Sequence, residues 1–367
     1  MAGLLRTDCF LFDDVVEYKH LLRCAEKVCN GGRWKSGTQM FEMNILQWTA
    51  NMKRQLDNGT YKFKATNNFK IMERGKVREI KAHHISDRAV LKSLSMYSIY
   101  PALDGMIMEN NSASQKGKGT DHAIKVFREA LAHAYKKYGR EFYVGTYDFH
   151  DYFGSIPHDK AIELIGSRLD ECSRQLFIDY TELFDEGYGI GGEISQIVSI
   201  AYPSSLDREI ACDPAVDRSG RYMDDGWFIT GTKEDAVRIM KKIQRKAKQL
   251  GLVINETRTD IANMSKESVT FLKKRTSVTE TGQIVMKLTR KNIRARQRAT
   301  KKQKEDNVPP FSTYQSLQSW FSYSRKYRSD RAKMSVAKKA AALFGIKWGD
   351  MKILMRGGMP NGLIKRT

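Results

Sequence analysis

The sequence predicts an α+β protein with a small, mostly antiparallel sheet. Three observations predict this. Two long segments carry apolar residues at helical spacing, with start and stop signals at their ends. Short apolar runs flank an acidic turn tripeptide, which is hairpin patterning. Strands and helices mix without strict βαβ alternation, which argues against a parallel sheet.

The first helix is predicted over 121–138. Ile124, Phe127, Leu131, Ala134 and Tyr138 share a face, Asp121 caps it and Gly139 stops it. A strand is expected over 142–148, closing on Asp148. Arg221-Tyr222-Met223 and Trp227-Phe228-Ile229-Thr230 read as the arms of a hairpin around Asp224-Asp225-Gly226. A second helix is predicted over 232–250, with Ala236, Ile239, Ile243, Ala247 and Leu250 facing inward. Thr232 and Asp235 stand at capping-box distance, and Gly251 ends it. A further strand pair is expected at 252–255 and 269–272. The basic stretch 291–304 runs into Asn307-Val308-Pro309-Pro310, which reads as a linker.

The 367 residues suffice for two to three domains or one multi-lobed enzyme. A hydrophobic content of 41% with 10% aromatics supports a buried core and argues against wholesale disorder. No apolar run approaches the roughly 18 residues of a membrane span. The start, Met1 to Asp8, reaches an acid before any usable apolar region, so no secretory signal is expected. The five cysteines (Cys9, Cys24, Cys29, Cys172, Cys212) form no CxxC pair. That suits a reducing cytoplasm, which is the expected compartment, and argues against a disulfide framework or a zinc ribbon.

Lys and Arg number 63 against 42 Asp and Glu, a net +21. Residues 285–367 hold 21 basic and 4 acidic residues, so +17 of that charge sits there. Such a block repels itself unless a polyanion neutralises it, and nucleic acid is the natural partner. Arg290, Lys291, Arg294, Arg298, Lys301 and Lys302 are the candidate contacts. Tyr314, Trp320, Phe321, Tyr323 and Tyr327 lie among these charges. Flat rings beside cations suit base stacking, although rings at helical spacing also build cores.

Asp148 closes one expected strand, and Asp224 and Asp225 sit at the tip of another pair. Clustered acids repel and raise one another's pKa values. A hard divalent cation such as Mg²⁺ removes that penalty through oxygen ligands. Two such ions about 4 Å apart can activate a hydroxyl and stabilise a leaving pyrophosphate. An Asp-Gly pair is also ordinary turn chemistry.

The wider pattern resembles the reverse transcriptases. Tyr222-Met223-Asp224-Asp225, before an apolar strand, is similar to their signature hairpin. The stretch from Tyr147-Asp148-Phe149 through Phe153 to His158 resembles their first palm motif, an Asp followed five residues later by an aromatic. Gly187 to Gln196 resembles their glycine-rich second motif. Leu250 to Asn255 and Phe271 to Arg275 look like the fourth motif and the primer-grip strand. Gly75 to Ile80 and Ser86 to Val90 resemble the fingers motifs, and Gly117 to Ile124 the segment opening the helix before the palm.

The resemblance implies a right-hand polymerase, with an N-terminal extension and fingers over 1–140, palm over 141–276 and a basic helical thumb over 277–367. It implies RNA-directed DNA synthesis with two Mg²⁺ ions, for which Mn²⁺ can substitute. Asp148, Asp224 and the backbone carbonyl of Phe149 hold the metals, with Asp225 as the second hairpin acid. Arg78 lies over the incoming triphosphate, with Lys76 a weaker phosphate ligand. Asp151 and Tyr152 offer backbone amides there, and Gln196 joins the nucleotide site. Phe153 stands where ribonucleotide-selecting enzymes keep an acid, so it argues for dNTP substrates. Ile190 replaces a common Gln beneath the templating pair, which suits low fidelity or is a lineage preference. Arg258 stands in the Asn255–Thr259 stretch where a proton-donating Lys is usual, and it can serve only as a fixed charge.

Among reverse transcriptases, Ile190-Gly191, Ser195-Gln196 and Ser319–Tyr323 after Arg290–Arg294 look most like enzymes of diversity-generating retroelements. Those copy a template RNA with errors, beside a small basic accessory protein. Antiphage-defence reverse transcriptases, acting with a structured non-coding RNA, are the alternative. Maturase, RNase H and integrase regions are not expected. The implied partners are template RNA, a DNA or RNA primer and dNTPs, with no membrane. The oligomeric state stays open. A basic RNA-binding scaffold on an inactive polymerase fold is the reading from a different class, and the intact acids speak against it.

Overall fold

The computed structural model describes residues 12–73 and 76–360, without the side chains of Glu73 and Lys76. The chain begins with helices α1 Phe12–Val16, α2 Tyr18–Cys29, α3 Ser36–Met43 and α4 Ile45–Asp57. Strands β1 Asn67–Glu73 and β2 Lys76–Ala82 precede α5 Ile85–Leu94, the short α6 Tyr100–Ala102 and α7 Thr120–Tyr138. Strand β3 Tyr143–Asp148 leads into α8 His158–Ala161, α9 Glu171–Thr181, α10 Glu193–Ala201 and α11 Ser204–Ala211. Then come β4 Val216–Tyr222, β5 Asp225–Thr230, α12 Lys233–Gln249 and β6 Asp260–Asn263. Strands β7 Val269–Phe271, β8 Lys274–Val278 and β9 Ile284–Leu288 follow. Helices α13 Arg290–Glu305, α14 Pro310–Ser324, α15 Asp330–Phe344 and α16 Trp348–Met355 complete the order.

The architecture is mixed α and β with small sheets, as the patterning predicts. Strands β1 and β2 form a two-stranded antiparallel ribbon, and β7-β8-β9 a three-stranded antiparallel sheet. A four-stranded sheet runs in the order β4-β5-β3-β6. By internal packing the chain divides into two compact units. One comprises Met1–Val126, Tyr147–Phe228 and Val237–Asp260; the other comprises Phe127–Thr146, Ile229–Ala236 and Ile261–Thr367.

In the first unit, α2 buries Leu21, Cys24, Ala25 and Val28 on one face. The apolar run of α10 disappears wholly into the core through Ile194, Ile197, Val198 and Ile200. In the second unit, Leu317 and Phe321 of α14 pack with Val336, Ala337 and Ala340 of α15 and with Met351 and Leu354 of α16. Each buried Val, Leu, Ile, Met or Phe side chain among them contributes about 1.5–3 kcal/mol by leaving water, and each Ala less.

Several expected elements hold with shifted ends. Helix α7 starts at Thr120, one residue before the expected cap, and Gly139 stops it with φ +68°. Helix α12 has the expected capping box: the Asp235 amide donates to Thr232 Oγ1 (3.2 Å), and that hydroxyl donates to Asp235 Oδ2 (2.8 Å). The hairpin tip differs from expectation. Asp225 and Gly226 already belong to β5, and Met223 takes φ +56° at the turn. A non-glycine residue there costs about 1–2 kcal/mol, which the surrounding structure must offset. Gly226 is in the strand for a steric reason: a Cβ would lie 2.1 Å from Cζ of Tyr147.

The strand pair expected between 252–255 and 269–272 does not form. Residues 252–255 run beside the end of β3 instead, joined by a single antiparallel bridge between Phe149 and Ile254. Their polar groups are used there: the His150 amide donates to the Val253 carbonyl and the Asn255 amide to the Asp148 carbonyl, both 2.8 Å. Strand β7 pairs with β8 through a two-residue turn, Leu272 (φ +46°) and Lys273 (φ +62°). The expected linker at 307–310 is a tight corner between α13 and α14, with Asn307 at φ +48° and Pro310 opening α14.

Among the expected stacking rings, Phe321 and Tyr327 are buried, and Tyr314 and Trp320 pack against the core of the second unit. Tyr323 and Tyr327 both face the ammonium of Lys274, at 5.3 and 5.6 Å. Lys274 is buried, so the two rings hold its charge in place of a carboxylate. The four described cysteines are free, and Cys9 lies outside the described residues. Among the described residues no helix is long and apolar enough to cross a membrane.

Candidate active site

Asp148, Asp224 and Asp225 come from two chain stretches and converge within the first unit. Strand β3 ends on Asp148, whose carboxylate is buried. Asn255 Nδ2 donates to its Oδ1 and Arg258 Nη1 to its Oδ2, each at 3.0 Å. Asp225 hydrogen-bonds to Asp148 from the start of β5. Burial, then the charges of Asp224 and Asp148 and that hydrogen bond, push the Asp225 carboxyl up to about 7. Burial also raises Asp224, followed by the charge of Asp148; Arg258 and Arg78 oppose the rise. The bond to Asp148 raises the Arg258 guanidinium, so it stays charged.

The hairpin that presents Asp224 and Asp225 is pinned from behind. Arg221 is buried, and its Nε and Nη2 grip Asp207 of α11 at 2.8–3.0 Å. Nη1 donates to the Met223 carbonyl and Nη2 to the Ile200 carbonyl, both 2.8 Å. The fork of one guanidinium thereby fixes the strained turn residue to the α10 helix.

Rings run from Asp148 towards Phe153. Phe149 stacks on Tyr152 at 5.0 Å, and Tyr152 meets Phe153 edge-on at 5.9 Å. The Tyr152 hydroxyl donates to the Ser199 carbonyl. The Phe149–Ile254 pair exchanges no backbone bonds of its own, so the Phe149 carbonyl points away from that segment. The glycine-rich loop closes on the same stretch: the Tyr188 amide donates to the Phe153 carbonyl at 2.8 Å. A Cβ on Gly187 would come within 2.4 Å of the Phe153 and Gly154 carbonyls.

The other expected nucleotide residues distribute as follows. Arg78 lies on β2 opposite Ile71, with its charge felt at Asp224. Ile190 bridges to Ile80 of the same strand, and the Lys81 amide donates to the Ile190 carbonyl at 3.3 Å. Asp151 has φ +41°, and its carbonyl accepts from the Ser155 amide at 2.9 Å. Gln196 is on the exposed side of α10, where its Oε1 accepts from Ser114 Oγ at 3.2 Å. The Lys76 side chain lies outside the described residues.

Asn255 and Asp207 carry no local mark of their contacts, since their partners stand 107 and 14 residues away. Arg258 is not simply a free-standing charge, because it is committed to Asp148.

The donor set fits hard cations. Three carboxylates and one backbone carbonyl offer only oxygen, and the elevated Asp225 marks a shortage of positive charge. Their ligand atoms do not gather as tightly as those of Asp14, Glu17 and His20, which all lie within 4.8 Å of one another. The tighter trio is exposed at both acids, and His20 Nε2 already pairs with Glu17 at 3.2 Å.

In the second unit, Arg290, Lys291, Arg294, Arg298, Lys301 and Lys302 all lie on α13. They do not act alike: Lys301 pairs with Glu305 at 3.3 Å, while Lys291, Arg294 and Arg298 share one cavity wall.

No protein-family model and no curated protein matches the chain. Among solved structures it is similar to apo telomerase from Candida tropicalis truncated from its C-terminal domain, at 14% sequence identity and a TM-score of 0.47. That match covers 60% of this chain and 55% of the other, so the chain spans about half of that structure's length.

Proposed function

We propose that the chain is an RNA-directed DNA polymerase joining dNTPs to a primer on an RNA template. The observation that carries this reading is the convergence of Asp148, Asp224 and Asp225. Asp148, Asp224 and the Phe149 carbonyl would hold two Mg²⁺ ions, with Asp225 completing the acid set. When bound, such ions activate the primer hydroxyl and neutralise the leaving pyrophosphate. Arg258 donates to Asp148 Oδ2 at 3.0 Å, a contact that would compete with coordination through that oxygen. Its side chain is 45% exposed, so it can move, and its fixed charge is then available to the leaving pyrophosphate. Arg78 meets the triphosphate from β2.

Primer extension on an RNA template with Mg²⁺ and dNTPs tests this reading. The wild-type chain extends the primer and Asp224→Ala does not. Absence of incorporation with every template and primer favours the scaffold reading. Phe153 supports deoxynucleotide choice, because its ring offers a 2′-hydroxyl no polar partner. Phe153→Ala should raise ribonucleotide incorporation by about a hundredfold, close to 3 kcal/mol of discrimination. Unchanged sugar selectivity removes that assignment.

Ile190 supports an error-prone enzyme of the diversity-generating type, since no side-chain hydrogen bond can reach the templating pair from it. Sequencing of the cDNA checks this: errors concentrated at template adenines favour diversification, and uniform fidelity with a structured RNA template favours defence.

A further inference from the structure

One cation of α13 turns inward. Arg290, Lys291, Arg294 and Arg298 are exposed, whereas Arg296 is part-buried and faces α14. Its Nη1 donates to Ser316 Oγ at 2.8 Å. Its Nε and Nη2 are shielded from water and have no hydrogen-bond partner among the described residues. These two nitrogens are neighbours on the guanidinium, and their N–H bonds run side by side along one edge of the fork. In Arg221 the same edge grips the Asp207 carboxylate at 2.8–3.0 Å. Arg296 has no such acid. Burial with no compensating charge pushes its guanidinium down to about 10.

The facing helix adds a second unpartnered group. Thr313 stands one turn before Ser316 on α14, on the face that meets Arg296. It is fully buried, and its hydroxyl has no partner among the described residues. Thr300, one turn after Arg296, is no substitute acceptor, because its hydroxyl is spent on the Arg296 carbonyl at 2.9 Å. The seam between α13 and α14 therefore presents two parallel N–H donors and an O–H donor without an anion of the protein's own. Parallel donors match two oxygens of one group, as in a carboxylate or a phosphate. A chloride ion offers no such pair. Because the edge is shielded, the matching ligand is small and enclosed between the helices, unlike a polymer lying over the exposed cations.

We propose that the α13–α14 seam binds one small oxyanion, a carboxylate or inorganic phosphate, through Nε and Nη2 of Arg296 and the hydroxyl of Thr313. The anion would give Arg296 the counter-charge that Asp207 gives Arg221, and would tie the two helices together. The proposal is independent of the polymerase reading, since primer extension bears on the acids of the first unit.

Hydrogen exchange of the full chain tests it, with peptides covering 290–324 followed in phosphate, acetate or chloride at one ionic strength. At ten times its dissociation constant, phosphate or acetate should slow the α13 and α14 amides about tenfold, and chloride should not. The more effective of the two names the ligand class. Arg296→Met removes the buried charge and its edge together. Its amides should exchange at one rate in all three salts, and in chloride no faster than those of the wild type. Thr313→Val should keep the response but need several-fold more anion. Arg294→Gln with Arg298→Gln removes exposed cations only and should respond like the wild type. Circular dichroism checks that the variants fold, and the wild-type comparison stands whether or not Arg296→Met does. Equal wild-type exchange in the three salts overturns the proposal, because water then satisfies the edge. So does a response that persists in Arg296→Met, or one that is lost in Arg294→Gln with Arg298→Gln, which places the anion on the surface.

Discussion

Two buried charge clusters lie on either side of the β4–β5 turn, and they are built in opposite ways. Behind the turn, Arg221 and Asp207 match one charge with one, and the spare guanidinium hydrogens meet the Met223 and Ile200 carbonyls. In front of it, Asp148, Asp224 and Asp225 bring three acids together. Basic groups acting on them include Arg258, nearly half exposed, and Arg78. A cluster with every hydrogen bond made has nothing to gain from a ligand and serves to hold a shape. A cluster whose burial and crowding push the Asp225 carboxyl up to about 7 is short of positive charge, and under the proposed reading a divalent cation would supply it. The difference separates the residues that position the site from those that act in it.

The largest effect should follow loss of an acid from the under-compensated cluster. Asp148→Asn keeps the shape and the Asn255 contact but removes one of the three carboxylates offered to the ions. Primer extension should drop by at least about a thousandfold, the scale of losing a principal electrostatic stabiliser. Thermal unfolding should barely change. If extension survives within tenfold, the acids are not the metal site.

The next effect belongs to the matched cluster. Asp207→Ala strands a buried guanidinium and should destabilise the first unit by about 3–5 kcal/mol. The double variant Arg221→Met with Asp207→Leu should recover much of that loss, because neither charge is then buried alone. Its activity should stay low even so, since the Met223 carbonyl loses its anchor. Recovery of both stability and activity would mean that the turn needs no pin. Urea unfolding and primer extension on the same preparations check both parts.

How much of this was legible in the sequence depends on how local each signal is. Asp148, Asp224, Asp225 and Phe153 sit in short stretches whose spacing is fixed by a strand end and a turn, so they can be read directly. The capping box of Thr232 and Asp235 is legible for the same reason. Pairing is not local. The run 252–255 has strand patterning, but nothing in it shows that its backbone is spent on Asp148 and His150 and not on 269–272. Arg221 is an unremarked basic residue until Asp207 comes up beneath it from α11. The basic stretch of α13 is obvious as charge. Which of its cations share a wall with Lys339 depends on how α15 packs.

The smallest effect is the sharpest probe of the comparison. An Asp in the unfolded chain titrates near 3.9, and Asp225 in the folded protein near 7. The folded state therefore keeps its proton to higher pH. Its contribution favours folding at low pH and is lost as the pH rises through the window from about 4 to about 7. Asn at this position has no proton to lose. In EDTA, Asp225→Asn should therefore match the wild type near pH 4 and become the more stable protein as pH rises. The gain should level off above about pH 7 at about 1–2 kcal/mol, less than the full shift implies, because Arg258 and solvent screen the charge. Saturating Mg²⁺ should shrink the gain, because the wild type offers the ions one more carboxylate than the variant. The matched cluster is the control: Asp207→Asn should lower stability because it leaves the buried Arg221 without its counter-charge. Urea midpoints of both variants at four pH values, with and without Mg²⁺, decide it. A pH-independent difference for Asp225→Asn would place a compensating charge beside that carboxyl and dissolve the contrast between the two clusters.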